Sequence, residues 1–561
     1  MRRTNRRVRL LIGVFAAVFA VTLVRATWLQ AVQARSLGRL AASQHRERFT
    51  VPAHRGTMYD RTGTVLAIGE RATSVAADPR QIANPRAVAL AAGGVLGIEP
   101  GKLLPLLSDR SRGFVYLARK VDPKVTAELA RKKLVGLEFI PEERRTYPQG
   151  AVGSEVVGYA GTDNRGLAGL ELGLDRVLRG SDGAETTVRD PFGHTLRVVS
   201  DRPPRDGRDV YLTLDHTIQA QVERVLRATR ERYAAKSATA VVMDPRTGGI
   251  LAMAIEPGFD ANQFPRVPRD RQRNRAVTDT YEPGSTFKLV TIGGALQTGL
   301  VSPTTPYTLP PSITVADRVI HDAEPRPTER LTVSQILSKS SNVGVITVAL
   351  GLGRNHLSDW IRRFGFGRLT GIDFPGESRG IVLPPERWSG STIGNVPIGQ
   401  GIAVTPVQMV AAYAAIARGG EWIQPHLVDR VAGRVRLRPK TRRVVSRATA
   451  HALTRMLEGV VTQGTGTESQ VPGYNVAGKT GTAAKPDGAG GYSDYKYVAS
   501  FVGYVPAEKP RLVILVAVDE PKGAIWGGSV AAPAFAEIAK FALQYLEVPP
   551  DKPVPATATG D

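Results

Sequence analysis

Whatever fold this chain adopts must bring three short, widely separated motifs to one place. They are Ser285-Thr286-Phe287-Lys288, Ser340-Ser341-Asn342 and Lys479-Thr480-Gly481, in that order. Singly each is weak, because an S-x-x-K or an S-x-N spacing arises by chance in many chains of this size. Together, with their order, separations and flanking glycines, they point to an acyl-transfer site with a serine nucleophile and a lysine base.

Each motif has its own local physics. Pro283-Gly284 ends an extended segment, and Ser285 is predicted to open a helix running to about Gln297. Residues three apart share a helix face, so Lys288 falls one turn after Ser285 and within reach of its hydroxyl. The helix N-terminus presents free N–H groups and the positive end of the dipole. A buried lysine beside other cations sheds its proton readily and then serves as a base. Taken alone, the same spacing also describes a serine N-cap followed by a surface lysine. Ser340-Ser341-Asn342 is predicted in a loop between two helices, with a hydroxyl for proton relay and an amide for a substrate carbonyl. Serine and asparagine there equally suit an N-cap for the helix starting near Val343. Tyr474 to Ala483 is predicted as a strand of unusually low bulk, and strand glycines mark the close approach of another backbone. A peptide can add to such an edge by strand pairing, with its carboxylate held by Lys479 and Thr480. The Thr482 N–H and the Ser285 N–H would then form an oxyanion hole. The competing reading of this stretch is a flexible Gly/Thr loop.

The N-terminus constrains location. Five arginines (Arg2, Arg3, Arg6, Arg7 and Arg9) precede an apolar run from Leu10 to Val24. Fifteen residues span roughly 22 Å of helix, short of a bilayer core of roughly 30 Å. Snorkelling of Arg9 and Arg25, with Trp28 at the interface, extends the span to Leu29. No A-x-A site follows, so an uncleaved anchor over residues 10–29 is favoured over a signal peptide. The positive-inside rule keeps residues 1–9 cytoplasmic and places the rest outside. No second apolar run of that length appears, which predicts a single-pass protein. The net charge of +23 favours anionic neighbours, but no nucleic-acid motif accompanies it, so a nucleic-acid partner is not expected. The absence of cysteine excludes disulfides, thiol nucleophiles and cysteine metal sites.

Residues 31–48 read as a polar, helical juxtamembrane stalk. Arg55 to Gly63 is turn-rich and leads into a strand near Thr64–Ala67. Residues 81–140 read as helical in pieces. Asp201-Arg202-Pro203-Pro204-Arg205-Asp206-Gly207-Arg208 is the best linker, separating a pedestal over 30–205 from a catalytic domain over 206–548. Strands are expected at Val210–Leu214, Ala240–Asp244, Gly249–Ala254, Tyr497–Tyr504 and Leu512–Val518. Helices are expected from Thr217 to about Tyr233 and from Pro533 to Leu546. Strands at both ends with helices between them imply a sheet beside a helical cluster. Residues 549–561, rich in Pro, Ala and Thr, read as a disordered tail.

At these residues the chain resembles the class B penicillin-binding proteins, whose signature is the same S-x-x-K, S-x-N and K-T-G set. Arg55–Gly63, Tyr147-Pro148, Gly169-Leu170-Glu171, Leu212-Thr213-Leu214-Asp215 and Ile398-Gly399-Gln400-Gly401 occur in family order. Tyr281-Glu282-Pro283-Gly284-Ser285, Ser340-Ser341-Asn342-Val343-Gly344, Val476–Ala483 and Ala499-Ser500-Phe501-Val502-Gly503 look most like the division-specific, FtsI-type enzymes. The resemblance implies a multidomain α+β fold: one transmembrane helix, an elongated mixed α/β pedestal or dimerisation domain, and a serine β-lactamase-like transpeptidase domain with a sheet flanked by helices. It implies that Ser285 is the nucleophile, Lys288 its base and Ser340 the proton relay. Asn342, Lys479, Thr480, Gly481 and Thr482 would bind substrate. The substrates implied are peptidoglycan stem peptides, a D-Ala-D-Ala donor and an amine acceptor, and β-lactams would trap the serine. No metal or organic cofactor is implied. The partners implied are a membrane glycan polymerase and divisome proteins, at the septum of the cytoplasmic membrane. A D,D-carboxypeptidase or β-lactamase shares the motifs but leaves the anchor and pedestal unexplained. A catalytically silent sensor of the same fold has no need of three intact motifs. An elongation-type class B enzyme differs from the septal kind in where it works.

Overall fold

The computed structural model describes residues 2–31, 46–189, 195–434, 438–488 and 491–553. Contacts divide it into two units, residues 1–54 with 180–207 and residues 55–179 with 208–561.

The first unit begins with the helix Arg2–Ala31. Its stretch Arg6–Ala31, 26 residues whose most apolar 18-residue window has a mean hydropathy of 2.2, is long and apolar enough to cross a membrane. At 1.5 Å per residue that is about 39 Å, so the span exceeds the Leu10–Val24 run. The two threonines in it stay compatible with lipid. Thr22 and Thr27 donate to the carbonyls of Val18 and Leu23, at 2.7 and 2.8 Å. The unit also holds a three-stranded antiparallel sheet in the order Arg46–Val51, Gly183–Arg189, Thr195–Arg202. The expected helical stalk therefore gives way to strand at Arg46, and residues 32–45 lie outside the described residues. The predicted linker is also partly structured, since Asp201 and Arg202 close a strand and Arg205 pairs with Ser181.

The second unit is built around a five-stranded antiparallel sheet. Its order is Ile250–Glu256, Ser237–Met243, Leu512–Asp519, Tyr492–Val505, Ala477–Pro486. Alternate residues serve opposite faces. Val241, Met243, Val502, Tyr504 and Leu515 join the core that holds the helices Lys288–Gln297 and Pro406–Ala417. Ala240, Val242, Phe501, Ile514 and Val516 join a second core, against the helices His216–Arg232 and Ala532–Tyr545. The sheet is thus covered on both sides, while the strand Ala477–Pro486 keeps one free edge.

A six-stranded sheet runs Val428–Val431, Val210–Leu212, Met58–Tyr59, Val65–Ala77, Val115–Val121, with Leu137–Thr146 also paired to Val65–Ala77. It draws strands from both sides of residue 205, which is why residues 55–179 cluster with 208–561. Three helices, Pro85–Leu96, Pro100–Ser108 and Pro123–Arg131, pack with Val75, Ala77, Val115 and Leu117. The helical reading of 81–140 thus missed the strand Val115–Val121 and the start of Leu137–Thr146. The signal was the alternation of buried Val115 and Leu117 with exposed Tyr116. The predicted tail also starts too early: Asp551 accepts from Asn475 N at 2.8 Å and donates to Gly473 O at 3.1 Å. Residues 554–561 lie outside the described residues.

Candidate active site

Ser285 lies in a 3-10 turn, Gly284–Phe287, that leads straight into the helix Lys288–Gln297. Two glycines permit this turn. Gly284 has φ +53°, and a Cβ there would sit 3.0 Å from Thr482 O. A Cβ on Gly399, at φ +81°, would fall 2.1 Å from Gly284 O. The turn is thereby wedged between the Ile398–Gly401 element and the strand Ala477–Pro486. Thr286 fastens it, donating to Pro283 O at 2.7 Å and accepting through its carbonyl from Tyr413 Oη at 2.9 Å.

Lys288 is wholly buried. Its Nζ lies 2.5 Å from Ser340 O, 3.2 Å from Ser340 Oγ and 2.8 Å from Asn342 Oδ1. Among the described residues no hydrogen bond joins it to Ser285 Oγ. Burial pushes the amine down from 10.5 to about 7; Asp322 opposes the shift and Arg326 adds to it. Two of the three partners only accept, so a neutral amine keeps its lone pair for a hydroxyl.

Ser340 sits in left-handed backbone at φ +59°, a conformation costly for a residue with a Cβ. Ser341 caps the helix Asn342–Leu352, accepting from Gly344 N at 2.9 Å. The motif is therefore both a helix cap and a loop that grips Lys288. The amide of Asn342 is spoken for on both ends, since its Nδ2 donates to His321 O at 3.0 Å. Sequence reasoning missed what fixes this loop. Asp322 accepts from Asn342 N (2.5 Å), Val343 N (2.9 Å) and Ser341 Oγ (3.3 Å), and it is paired with Arg326. Arg326 also donates to Ser341 Oγ at 2.6 Å and pairs with Glu329 at 2.6 Å. No local pattern announces Asp322, because the loop groups it holds lie some twenty residues onward.

The third motif lies on the edge strand. Glycine is required at 481, where a Cβ would meet Ser500 Oγ at 2.4 Å, Pro283 O at 2.9 Å and Thr286 Cγ2 at 2.9 Å. Lys479 is wholly buried; burial, and secondarily Lys288, lower its amine well below 10.5. Its Nζ donates to the Thr480 carbonyl and lies 3.2 Å from Thr480 Oγ1, which in turn lies 2.6 Å from Thr465 Oγ1. Thr482 Oγ1 accepts from Gly527 N at 3.0 Å. Thr465 and Gly527 are further residues that the motifs did not reveal.

Residues 238–540 match the family model of the penicillin-binding protein transpeptidase domain, and residues 50–212 match that of the penicillin-binding protein dimerisation domain. The chain belongs to the class B penicillin-binding proteins. It is 34% identical over 567 residues to the probable peptidoglycan D,D-transpeptidase PenA of Neisseria meningitidis, covering 99% of this chain and 95% of that one. It is 32% identical over 568 residues to the peptidoglycan D,D-transpeptidase FtsI of Escherichia coli, covering 99% and 94%. The crystal structure of penicillin-binding protein 3 from Mycobacterium tuberculosis, complexed with aztreonam, superposes with a TM-score of 0.72 at 32% identity, covering 91% of this chain and all of that one. This penicillin-binding protein is thus of the FtsI type and a transpeptidase. The first two motifs meet at the Lys288 amine, and the third packs against the turn that carries Ser285.

Proposed function

We propose that this protein crosslinks peptidoglycan stem peptides through an acyl-enzyme on Ser285, as the septal D,D-transpeptidase of its cell. The observation that carries the reading is Lys288: an amine lowered to about 7 by burial and gripped by the Ser340–Asn342 loop, one residue past the turn that presents Ser285. The neutral amine takes the Ser285 proton, directly or through Ser340, as Oγ attacks the carbonyl of the penultimate D-Ala. The Ser285 and Thr482 N–H groups hold the developing oxyanion. Ser340 returns the proton to the departing amine, and D-Ala leaves. An amine on a neighbouring stem then attacks the ester, forming the crosslink and freeing Ser285.

The terminal carboxylate belongs at Thr480 and Thr482, with Lys479 beneath them. Burial disfavours the charge on Lys479, and a carboxylate arriving beside it favours that charge. Asn342 serves through its grip on Lys288 as much as through the substrate. Gly481 lets the paired backbones approach. β-Lactams, which mimic the donor, trap Ser285.

The family boundaries at 50–212 and 238–540 support a pedestal over 30–205 and a catalytic domain over 206–548, and the apolar stretch Arg6–Ala31 supports an anchor at 10–29. Similarity to FtsI supports a division role, with a membrane glycan polymerase and divisome proteins as partners. A fluorescent fusion tests this: the reading expects a band at the septum, and uniform lateral-wall signal would assign the elongation role.

A further inference from the structure

Four of the seven residues that line an open cavity of 410 Å³ are cationic: Arg246, Arg418, Lys509 and Arg511. Two turns and a helix end bring them together. Arg246 lies in the turn between the strands Ser237–Met243 and Ile250–Glu256, and Lys509 and Arg511 lie in the turn between Tyr492–Val505 and Leu512–Asp519. Met243 pairs with Val513, so the two turns are neighbours, at the end of the sheet away from Pro486. Arg418 follows the helix Pro406–Ala417 and ties it to the first turn, donating to Pro245 O at 2.8 Å and to Arg246 O at 2.7 Å. Backbone bonds fix the second turn: Ala507 N donates to Asn475 O at 2.8 Å, and Arg511 N to Val505 O at 3.1 Å. No residue of the three catalytic motifs lines this cavity.

The charges there do not balance. Asp244 pairs with Arg246 at 2.6 Å, and Glu421 with Arg418 at 2.9 Å. The helix end adds roughly half a negative charge. Among the described residues the side chains of Lys509 and Arg511 enter no ion pair or hydrogen bond. Glu508 does not serve them: burial raises the Glu458 carboxyl and Glu508 adds to that, which places its charge on the Glu458 side of the turn. The Nε atoms of Arg418 and Arg511 are both buried with no partner. Open guanidinium donors from two elements, with an exposed ammonium beside them, call for an anion rich in acceptor oxygens. A carboxylate offers two oxygens in one plane. A phosphate offers a tetrahedron of them, which suits donors converging from two turns and a helix end, and guanidinium forks match it. We propose that this cavity binds a phosphate group, free in solution or on a lipid headgroup, held by Arg511 and Arg418 with Lys509 beside it. The site stands apart from the chemistry at Ser285 and does not rest on it.

Hydrogen exchange in the two turns, residues 244–249 and 506–511, provides the test, read by mass spectrometry on the full-length protein. One arm compares inorganic phosphate with chloride and acetate at equal ionic strength, in detergent. A site with a Kd of about 1 mM, in about 20 mM phosphate, slows exchange that requires the site to open by up to about 20-fold. The expected result is a slowing of about fivefold or more in both turns, with acetate and chloride well below it. The other arm omits free phosphate and compares nanodiscs of anionic phosphatidylglycerol with nanodiscs of zwitterionic phosphatidylcholine. Protection by phosphatidylglycerol assigns the ligand to a headgroup, and protection by dissolved phosphate alone assigns it to a free anion. The Lys509→Gln, Arg511→Gln double variant should abolish protection in either arm while penicillin labelling of Ser285 matches wild type. Should that pair fail to fold, Lys509→Gln alone, at an exposed position, should still weaken the protection about threefold. Protection absent from both arms overturns the inference, as does protection that the substitutions leave unchanged or that acetate reproduces.

Discussion

The rate of acylation should follow the protonation of one amine. Lys288 is wholly buried, and its amine is lowered from 10.5 to about 7. At the ordinary value about 1 amine in 3,000 is neutral at pH 7, whereas at about 7 roughly half are. The fold therefore raises the supply of free base about 1,500-fold, an upper limit because a weaker base also pulls a proton less strongly. With the neutral form as base, acylation by a fluorescent penicillin should reach about a tenth of its plateau at pH 6, half near pH 7 and about nine-tenths at pH 8. Two substitutions test the cause. Asp322 holds the amine's value up and Arg326 holds it down. Asp322→Asn should thus move the midpoint to lower pH, and Arg326→Gln to higher pH. The plateau should drop in both, since the loop loses contacts, but the midpoint reads charge alone. Stopped-flow rates at constant ionic strength from pH 5.5 to 9 supply the measurement. A flat profile, or midpoints moving the same way in both variants, would refute the argument.

Three further outcomes are expected. Ser340→Gly relieves the φ of +59°, so the melting temperature should hold or rise, while acylation falls about 100-fold or more if the hydroxyl carries a proton; an unchanged rate removes the relay. Gly481→Ala pushes a methyl against Ser500 and Pro283, and penicillin acylation should fall about 100-fold with the fold retained by circular dichroism. Glu223, buried and pushed from 4.5 up to about 7, stays neutral in the fold while the unfolded chain ionises. The stability it contributes is full below about pH 4.5 and lost as pH rises to about 7, about 3 kcal/mol in all. Glu223→Gln keeps an acceptor for Gly153 N and Gln219 Nε2 and should flatten that slope in thermal melts.

How far the sequence carried the account depended on how local each cause was. The apolar strands flanking residue 500 and the helix after Ser285 follow from short-range pattern, and they stand within a few residues of expectation. The motif strand was legible because glycines beside the K-T-G set mark the close approach of another backbone, against the competing reading as a loop. The strands Val115–Val121 and Leu137–Thr146 were missed because arginine, lysine and glutamate mask their alternation. Asp322 and Arg326 were invisible for a different reason. Their function exists only once a hairpin brings them under the Ser340 loop, and no spacing rule reaches that far. The left-handed Ser340 likewise belongs to tertiary structure, since nothing local asks a serine to adopt it. Glu282 stood in a recognised segment, yet its contacts with Gly401 N and Tyr492 Oη exist only once distant segments meet.

The central claim is that Ser285 forms the acyl-enzyme. Mass spectrometry of the intact protein and its peptides after penicillin treatment, on wild type and Ser285→Ala, tests it most directly. The account predicts a long-lived adduct on the Ser285 peptide that is absent from a folded Ser285→Ala. An adduct retained in that variant would contradict the assignment, and rapid turnover to hydrolysed drug would move the protein to the hydrolases.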